Sequence, residues 1–532
     1  MVFSLISHDP ERAEVNLIDR LLTEQQRLTA VERFSQRHAG ENTPSQARYY
    51  RDLIPIRKPD RCEQYAFEVD LDACSSCKAC VTACHSLNGL AEDESWRDVG
   101  VLFGGTVLEP VQRTVTAACH HCADPACANG CPVLAYEKDA ETGIVRHLDD
   151  QCIGCKYCQL KCPYDVPKYN HDRGIVRKCD MCYSRLTADE APACVQACPN
   201  GAIAIRIVRT AAAARNALDV GVLVPGAHRS SYTQPTTIYR SSVMLDDTVE
   251  AADLRRIDPS DGHAPLVAML VLTQASAGVA LLHFVSVVTE RGGTGWVTVA
   301  YPALGVVLCG IGMAASVIHL GQPHKAWRAF LGWRKSWLSR EIIALNAFIG
   351  AASAAVVAAW IIPESVVTLA AAAGAAGTAA LVLLASAMVY IDTRREFWSP
   401  WLTGTRFVGT AFVLAPALLA ALEPSPALAV ASALALVAKL VAELLPLRAA
   451  RQARWSGQRK SALVQLGPLR SLLALRLGLA AAGVVVVLAG CVLASGALAA
   501  GGAILLLAGE FAERSLFFRA VDTPKMPGIF KA

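Results

Sequence analysis

The sequence predicts a two-part protein, in which an α+β domain of paired cysteine-rich modules precedes an all-α bundle of eight transmembrane helices. Three observations predict this class. Sixteen of the nineteen cysteines lie between Cys74 and Cys198, long apolar runs follow His263, and the charged loops between those runs alternate with uncharged ones. The chain of 532 residues is 53% hydrophobic and only 18% charged, which is too apolar for an ordinary soluble protein.

The sixteen clustered cysteines fall into four groups with regular spacing. The groups are Cys74, Cys77, Cys80 and Cys84; Cys119, Cys122, Cys127 and Cys131; Cys152, Cys155, Cys158 and Cys162; and Cys179, Cys182, Cys194 and Cys198. A C-x2-C-x2-C loop supplies three thiolates to one [4Fe-4S] cluster, and a fourth cysteine, often followed by proline, reaches a neighbouring cluster. Sixteen such iron ligands predict four [4Fe-4S] clusters and a role in electron transfer.

Zinc and disulfides are the competing interpretations of these cysteines. Zinc ribbons use paired C-x2-C knuckles and rarely a third cysteine, so the triplets with a trailing Cys-Pro favour iron-sulfur clusters. Disulfides between cysteines three positions apart are geometrically awkward, and no secretory signal indicates an oxidising compartment. The gap of eleven residues between Cys182 and Cys194 is the least regular spacing.

Eight apolar runs follow His263, and a transmembrane helix needs about 20 mainly apolar residues. The sequence predicts helices over residues 264–288, 297–319, 341–362, 366–390, 405–422, 427–446, 471–494 and 497–514. The fifth run is short and contains Pro416. The alternative is a buried core of a soluble protein, which would have to be very large to bury eight segments with so few charges.

The loop charges predict the orientation of this bundle. Lysine and arginine gather before the first run, after the second, fourth and sixth runs, and after the eighth, whereas the opposite loops contain only Arg291. By the positive-inside rule, both termini and the cysteine-rich domain then lie on the cytoplasmic side of a multi-pass protein of the cytoplasmic membrane. The net charge of +4 follows from this topology, so no nucleic-acid partner is expected.

Four segments are expected along the chain: an N-terminal extension (1–60), a four-cluster domain (61–208), a linker (209–262) and the membrane anchor (263–532). The opening residues show no signal peptide. Apolar residues at helical spacing between Leu17 and Phe34 predict a helix that either folds onto the cluster domain or clasps a partner subunit. Strands are expected at Tyr65–Val69, Ile144–His147 and Ala202–Ile207, in the layout of bacterial-type ferredoxin modules.

Several stretches of the sequence resemble subunits of membrane-bound molybdopterin oxidoreductases. CHHCADPACANGCP, CIGCKYCQLKCPYDVPKYN and KCDMCYSRLTADEAPACVQACPNGAIAI resemble the four-cluster electron-transfer subunit, as in dimethyl sulfoxide reductase. HLGQPHKAWRAFLGWRKSWLSREI and GEFAERSLFFRAVDTPKMPG resemble the eight-helix, quinol-interacting anchor of the same family. The resemblance implies a fusion of these two subunits without the catalytic molybdenum subunit. CHSLNGLAEDESWRDVG is also similar to the iron-sulfur subunits of cytoplasmic sulfite dehydrogenases.

The resemblance also implies which cysteines share a cluster, because the family pairs the first group with the fourth and the second with the third. The implied sets are Cys74, Cys77, Cys80 and Cys198; Cys179, Cys182, Cys194 and Cys84; Cys119, Cys122, Cys127 and Cys162; and Cys152, Cys155, Cys158 and Cys131. Every ligand position is cysteine, so no [3Fe-4S] cluster is expected. Cys62, Cys309 and Cys491 remain, as a structural or surface thiol and two small helix residues.

The resemblance further implies a site for quinone, menaquinone or ubiquinone, near the end of the second membrane helix. His319 occupies the matching position, and its imidazole could exchange a proton with a quinone oxygen. The alternative is a helix-end histidine bonded to backbone carbonyls. Glu341, Asp392 and Glu510 are further candidates at helix ends, and no b-type haem is expected.

The main hypothesis is a non-catalytic subunit that relays electrons between a cytoplasmic molybdopterin partner and membrane quinone, with quinone chemistry in this chain. The cytoplasmic orientation favours sulfite oxidation, and the alternative is the same relay in a reductase of S-oxides or N-oxides. A hypothesis of another class is a cluster-driven ion-translocating membrane module. That module needs a chain of ionisable residues, for which the sequence offers the pair Lys439 and Glu443.

Overall fold

A computed structural model describes residues 17–26, 29, 32, 47–106, 108, 110–219, 221–245, 248–289 and 296–529. In the N-terminal extension it contains helix α1 over Leu17–Gln26 and helix α2 over Ala47–Tyr50. Apart from Thr29 and Glu32, the rest of the predicted N-terminal helix to Phe34 lies outside the described residues, as do the charged residues Arg291 and Lys531. The apolar face of α1 is solvent-exposed, so no contact between it and the cysteine-rich domain buries this face.

The cysteine-rich domain has the predicted α+β composition. Its strands are β1 (Glu63–Asp70), β2 (Asp98–Gly105), β3 (Pro110–Ala117), β4 (Tyr136–Lys138), β5 (Val145–His147), β6 (Lys168–Asn170), β7 (Ile175–Arg177), β8 (Ile203–Arg209), β9 (Ile238–Arg240) and β10 (Glu250–Ala251). β1 pairs antiparallel with β8 and parallel with β9. The three predicted strands are confirmed as β1, β5 and β8, with ends shifted by one or two residues.

Two short hairpins and a set of short helices hold the cysteine groups. The hairpins are β4 with β5 and β6 with β7. The helices are α3 (Ala79–Leu87), α4 (Ala126–Gly130), α5 (Tyr157–Lys161), α6 (Tyr183–Leu186), α7 (Ala193–Gln196) and α8 (Thr210–Asp219). Most cysteine groups run into one of these helices, which places the later thiols of each group at the helix and the earlier ones in the preceding loop.

The end of the chain packs on a second sheet of the cysteine-rich domain, in the strand order β10, β2, β3. The amide of Val101 in β2 donates to the carbonyl of Gly528 at 3.2 Å. The amide of Gly528 in turn donates to Asp253 Oδ1 at 2.6 Å, and Lys525 pairs with Asp253 at 2.9 Å. The segment after the last membrane helix therefore returns to the cysteine-rich domain and is fixed there.

The predicted eight-helix anchor is confirmed, since eight helices in the described part of the chain are long and apolar enough to cross a membrane. With the short helix α15 (Gly457–Leu466) between the sixth and seventh, they are α9 (Ala264–Thr289), α10 (Val297–Ile318), α11 (Trp337–Ile361), α12 (Val366–Ile391), α13 (Pro400–Leu422), α14 (Pro426–Leu444), α16 (Arg470–Val492) and α17 (Gly496–Arg519). Pro416 lies inside α13 without ending it. The largest departures from prediction are of five residues: α13 begins at Pro400 instead of 405, and α17 ends at Arg519 instead of 514.

Small residues bring the membrane helices close together. A Cβ atom on Gly502 of α17 would lie 2.5 Å from the backbone nitrogen of Val487 in α16. Gly278 of α9 contacts the backbone of Ala411 in α13 in the same way. Lipid supplies no hydrophobic force between helices, so close backbone approach at glycine is a principal source of helix contact in a membrane.

The cysteine-rich domain sits directly on the loops at one end of the anchor. The amide of Gln322 donates to the carbonyl of Ile153 at 3.1 Å, and that of Gly332 donates to Pro132 at 2.8 Å. Tyr157 donates its hydroxyl proton to the carbonyl of Val389 at 2.8 Å. Lys161 forms a salt bridge with Asp392 at 2.6 Å. The second and third cysteine groups therefore face the membrane helices.

Candidate functional site

Two of the four cysteine sets implied by the resemblance each surround a small cavity. One cavity is lined by Cys119, Cys122, Cys127 and Cys162. The other is lined by Cys84, Cys179, Cys182 and Cys194. In each, three cysteines come from one group of the sequence and the fourth from another, which is the exchange of ligands that paired ferredoxin modules use.

The other two sets also bring their cysteines together. Burial raises the pKa of the Cys74 thiol, and negative charge on Cys80, Cys198 and Cys77 raises it further. Burial likewise raises the pKa of Cys158, together with negative charge on Cys155, Cys152 and Cys131. Each thiol thus lies within electrostatic range of the remaining members of its set.

Left-handed backbone conformations curl the loops around the cysteines. Ser76 and Lys78 have φ of 61° and 58°, and Lys156 has φ of 60°. Gly154, in the same loop as Lys156, has φ of 69°. Non-glycine residues rarely adopt this region, because the Cβ atom then lies too close to the backbone. These turns aim successive thiols of a C-x2-C-x2-C segment toward one point.

Backbone amides point at the cysteine sulfurs. Ala135 donates to Cys131 Sγ at 3.2 Å, and Ala202 donates to Cys198 Sγ at 3.2 Å. Gly154 donates to Cys152 Sγ at 3.4 Å. Such donors favour the charged thiolate over the thiol. Burial raises the pKa of the Cys131 thiol to about 11 and that of the Cys84 thiol to about 12, so a bound cation is needed to keep these two thiols deprotonated near pH 7.

Buried cations link neighbouring cysteine sets. Lys178 is buried and lies 3.6 Å from Cys119 Sγ, while its own neighbour Cys179 belongs to a different set. Arg97 is also buried, and the nearby thiolates of Cys194, from the set of Cys179, and of Cys80, from the first set, favour its charged form. Burial raises the pKa of Tyr136, and the thiolates of Cys158, from the last set, and of Cys127, from the set of Cys119, raise it further. The sets are therefore arranged in a row, in which each is adjacent to the next.

The two ends of this row differ in their surroundings. Cys77 is solvent-exposed and Cys74 is half-buried, so the first set lies at the protein surface. Cys155, from the last set, lines a cavity in the anchor.

Among the described residues no three His, Cys, Asp or Glu side chains converge as the ligands of a single metal ion do. The cysteines instead enclose spaces between them.

An apolar cavity of about 400 Å³ lies where the cysteine-rich domain meets the anchor. Its lining includes His319, Glu341, Tyr390, Trp327 and Cys155. Glu341 is buried and accepts a hydrogen bond from Ser386 Oγ at 2.5 Å. The cavity thus places one cysteine of the row, one imidazole and one carboxyl around a largely apolar space of the size that small organic ligands occupy.

His319 caps the end of α10 at this cavity. Its Nδ1 atom is buried and has no hydrogen-bond partner among the residues that the structure describes. Burial lowers the pKa of His319 to about 4, against an opposing hydrogen bond with the backbone at Ser316, so the ring is neutral near pH 7. The alternative interpretation of His319 as a helix cap therefore accounts for one side of the ring and leaves Nδ1 available.

The other helix-end candidates lie elsewhere. Asp392 pairs with Lys161 at the boundary between the two domains, and Glu510 is buried among charged residues of the anchor. Neither residue lines the apolar cavity. Cys62 is exposed, whereas Cys309 and Cys491 are buried in membrane helices. Of the acidic candidates, Glu341 alone among the described residues shares the cavity with His319.

Lys439 and Glu443, the pair that the sequence offers in the anchor, lie 3.6 Å apart and belong to a larger buried charge cluster. Lys439 forms buried ion pairs with Glu510 and with Glu513. The complete cluster adds Glu443, Arg476, Arg406 and Arg514, all of them buried. The signal in the sequence is a charge inside each of several apolar runs, but a linear sequence does not show that these charges converge.

This charge cluster occupies one half of the bundle. Lys439 lies five residues from the end of α14, and Glu510 lies nine residues from the end of α17. At about 1.5 Å per residue, these positions are roughly 8 and 14 Å from the helix ends nearest the cysteine-rich domain. The hydrocarbon core of a bilayer is about 30 Å thick. The cluster therefore does not extend across the membrane.

Comparison with known proteins identifies relatives of both halves. Residues 112–207 match the family of the 4Fe-4S dicluster domain, and residues 261–519 match the family of the DMSO reductase anchor subunit (DmsC). The sequence is 38% identical to the B subunit of the anaerobic dimethyl sulfoxide reductase of Haemophilus influenzae over 146 residues, which is 26% of this chain and 71% of that protein.

Two further relatives come from Escherichia coli K12. YnfG, a probable anaerobic dimethyl sulfoxide reductase subunit, is 34% identical over 185 residues, covering 33% of this chain and 88% of the relative. The iron-sulfur subunit of formate dehydrogenase-O is 34% identical over 158 residues, covering 26% and 52%. Each of these similarities covers a third of the chain or less, while the match to the anchor family covers the membrane helices.

Proposed function

The chain belongs to the family of iron-sulfur subunits of dimethyl sulfoxide reductases, fused to an anchor of the DmsC type, and from this premise we propose that it relays electrons between a molybdopterin catalytic partner and membrane quinone. Its role as an iron-sulfur electron-transfer and membrane-anchor subunit follows from the family. The quinone, the catalytic partner and the number of clusters are the proposal. The observation that carries it is the apolar cavity, which places Cys155 beside His319 and Glu341.

Sixteen cysteines are proposed as the ligands of four [4Fe-4S] clusters. The two cavities lined by four cysteines each, and the proximity of the other two sets, support the assignment. Thiolate is the ligand that such clusters use, and amide donors to sulfur tune their potentials. When bound, each cluster would carry one electron at a time. The surrounding residues hold the thiolates in place and keep most of them from water.

The row of cysteine sets gives this relay a direction in space. Electrons from a partner would reach the exposed end at Cys77 and leave the cysteine-rich domain beside Cys155, or travel in reverse. Lys178 and Arg97, between the sets, place positive charge where added electrons would accumulate. The exposed first set, together with Tyr49 and Tyr50 beside Cys198, is the surface proposed to receive the catalytic partner.

The apolar cavity is proposed as the quinone site. Its largely apolar lining suits a quinone ring and the start of an isoprenoid tail, while His319 and Glu341 supply the few polar groups such a site requires. A neutral imidazole with a free Nδ1 can donate a hydrogen bond to a quinone oxygen or accept a proton from a quinol, depending on its tautomer. Both directions of electron flow use the same residues.

The substrate of the partner depends on the side of the membrane. Basic loops lie at the end of the bundle that carries the cysteine-rich domain, which supports a cytoplasmic position by the positive-inside rule. That position favours oxidation of sulfite, with electrons running toward quinone. The alternative is a reductase of S-oxides or N-oxides, in line with the name of the relatives, with electrons running from quinol.

A second candidate function is an ion-translocating module, and the buried charge cluster is the observation that favours it. Lys439, Glu510 and Arg476 would have to lie on a path between the two membrane surfaces. Because the cluster is confined to the half nearest the cysteine-rich domain, a path would also require ionisable groups in the other half. Net proton movement into sealed vesicles during quinone turnover is the measurement that separates the two candidates.

Quinol-driven reduction of the purified full-length chain tests the proposed relay. The chain with oxidised clusters is mixed with menadiol or decylubiquinol, and the loss of visible iron-sulfur absorption is followed in a stopped-flow instrument. A relay predicts rapid bleaching that saturates with quinol concentration. If neither quinol reduces a chain whose clusters dithionite can reduce, the proposed quinone site is wrong.

A further inference from the structure

A second, polar cavity adjoins the proposed quinone site. It has a volume of about 260 Å³ and lies between the cysteine-rich domain and the near end of the anchor. Liquid water occupies about 30 Å³ per molecule, so the cavity has room for several waters. Its lining is rich in ionisable side chains, among them Asp261, His263, Asp258, Lys460 and Asp522.

The two cavities share a wall. The residues that line both are Cys155, Leu160, Leu266 and His319. Leu160 and Leu266 have no ionisable group in their side chains, and Cys155 is a proposed iron ligand. His319 is therefore the one shared side chain that could exchange protons between an apolar cavity and a polar one.

His263 and Asp261 continue this line toward solvent. A charge on His263 lowers the pKa of His319, so the two imidazoles lie within electrostatic range of each other. Burial lowers the pKa of His263, while Asp261 opposes that shift and stabilises the protonated ring. Asp261 is solvent-exposed. The ring of His263 packs edge-on against Phe518, with centroids 5.5 Å apart, which fixes its position.

We infer that the polar cavity is the proton path of the quinone site, with His319, His263 and Asp261 as successive proton carriers to the aqueous phase on the side of the cysteine-rich domain. The inference rests on the proposed quinone site. Other charged groups facing the cavity are Lys156, Arg395, Asp165, Asp253, Arg256 and Lys525. Asp253 pairs with Lys525, and Arg256 pairs with Asp258, so their charges are largely compensated.

With this path, the electrons and the protons of the quinone reaction are exchanged on the same side of the membrane. Reduction of a quinone takes up two electrons and two protons and yields the quinol, and oxidation releases the same particles. Electrons are exchanged with the clusters beside Cys155, and protons are exchanged through His319 into the polar cavity. Because both reach the same aqueous phase, quinone turnover moves no net charge across the membrane.

The location of proton release tests this inference. The full-length chain, with oxidised clusters, is reconstituted in sealed vesicles, and menadiol is added. The expected result is acidification of the phase that contacts the cysteine-rich domain, with no membrane potential on a voltage-sensitive dye. Acidification of the opposite phase, or a potential that forms with cluster bleaching, would overturn the path.

Variants of the two outer carriers provide the second test. His263→Gln and Asp261→Asn should each slow quinol-driven cluster bleaching by on the order of 10²-fold, the lower range for loss of a positioned proton carrier. Added imidazole should restore much of the rate in His263→Gln, because a small base can enter a water-filled cavity. His324→Gln, on the same side of the membrane but outside both cavities, is the matched control and should keep the parent rate.

The outcomes separate the two proposals. If the parent chain bleaches with quinol while His263→Gln and Asp261→Asn both keep its rate, the path is wrong and the quinone site stands. If the parent chain itself does not react, the quinone site fails first. Dithionite-reducible clusters in every variant show that the cysteine-rich domain has folded. A slow His263→Gln that imidazole does not restore, beside an unaffected Asp261→Asn, also counts against the path.

Discussion

His319 is the residue in which the proposed electron and proton paths meet. We expect His319→Ala to slow quinone turnover by on the order of 10² to 10⁴, the scale for loss of a positioned acid-base group. Iron content and reduction by dithionite should stay unchanged, because the imidazole is not one of the proposed iron ligands. Quinol-driven bleaching of the purified variant is the measurement, with His324→Ala as the control. A well-folded His319→Ala chain with the parent rate would direct attention to Glu341.

Lys439 is the residue on which the buried charge cluster depends most. Its ammonium group contacts Glu510 and Thr410, and lies 3.5 Å from Glu513. Lys439→Met leaves carboxylates buried with less compensation, and breaking a buried pair typically costs about 3 to 5 kcal/mol. We therefore expect a lower thermal midpoint in detergent, measured by loss of helical circular dichroism.

Two variants control that measurement. Lys335→Met removes an exposed lysine and should leave the midpoint unchanged. The loss of stability in Lys439→Met combined with Glu510→Gln should be smaller than the sum of the two single losses, because the two side chains pair with each other. Equal midpoints for Lys439→Met and the parent chain would show that the cluster contributes little to the stability of the anchor.

At the level of residues, the iron ligands are the part of the site that the sequence alone predicts best. The spacing of the cysteines predicts the iron ligands, since thiols at fixed intervals can converge without knowledge of the rest of the fold. The polar cavity could not be predicted in this way, because its lining comes from the cysteine-rich domain, from the start of α9 and from the segment after α17, which meet only when the two domains dock. The resemblance to the family singled out His319, and no motif singled out His263 or Asp261.

The contact between three glycines fixes the cysteine-rich domain on the anchor. A Cβ atom on Gly321 would collide with the backbone carbonyl of Gly174, and a Cβ on Gly154 would lie 2.9 Å from the amide of Gly321. Backbone atoms cannot move aside as a flexible side chain can. Gly321→Ala is therefore expected to push the loop of the last cysteine set away from the quinone cavity.

Slower electron transfer is the predicted consequence of Gly321→Ala. Quinol-driven bleaching should fall while the amount of iron per chain stays constant, and the same stopped-flow assay measures it. Gly350→Ala, in membrane helix α11, is the matched control because a Cβ there meets no atom within 4 Å. If both variants bleach at the parent rate, the glycine contact does not set the distance to the quinone.

Among the elements, the membrane helices form where the apolar runs predict them, but some helix ends differ from the predicted ends. The predicted end of α17 at 514 falls where Glu510, Glu513 and Arg514 interrupt the apolar run. The helix nevertheless continues to Arg519, because Glu510 and Glu513 pair with Lys439 and Arg476 of neighbouring helices. Arg514 pairs with Glu513 of its own helix, and all three charges remain buried. A sequence shows the cost of a buried charge but not the partner that offsets it.

At the scale of the whole molecule, both ends of the membrane anchor are attached to the cysteine-rich domain. The linker leads into α9, and the segment after α17 returns to β2 of the cysteine-rich domain through Gly528 and Lys525. This arrangement keeps the proposed clusters and the quinone cavity on one side of the membrane. The positive-inside rule then predicts that this side is the cytoplasm.

Epitope tags inserted in two exposed loops test the predicted topology. A tag at Arg454, after the sixth membrane helix, should be protected from protease in intact spheroplasts, and a tag at Glu364, after the third, should be cleaved. Both tags should be cleaved after lysis, which controls for accessibility. The reverse pattern would place the cysteine-rich domain outside the cytoplasm and remove the argument for sulfite.

The metal content of the purified chain tests directly whether its sixteen cysteines hold four [4Fe-4S] clusters. Four [4Fe-4S] clusters contain about sixteen iron and about sixteen acid-labile sulfide per chain, because each cubane takes four of each. Plasma emission spectroscopy and a sulfide assay on anaerobically purified protein measure both. We expect values near these with negligible zinc, and magnetic interaction between clusters on reduction. One or two equivalents of zinc with little iron would contradict it.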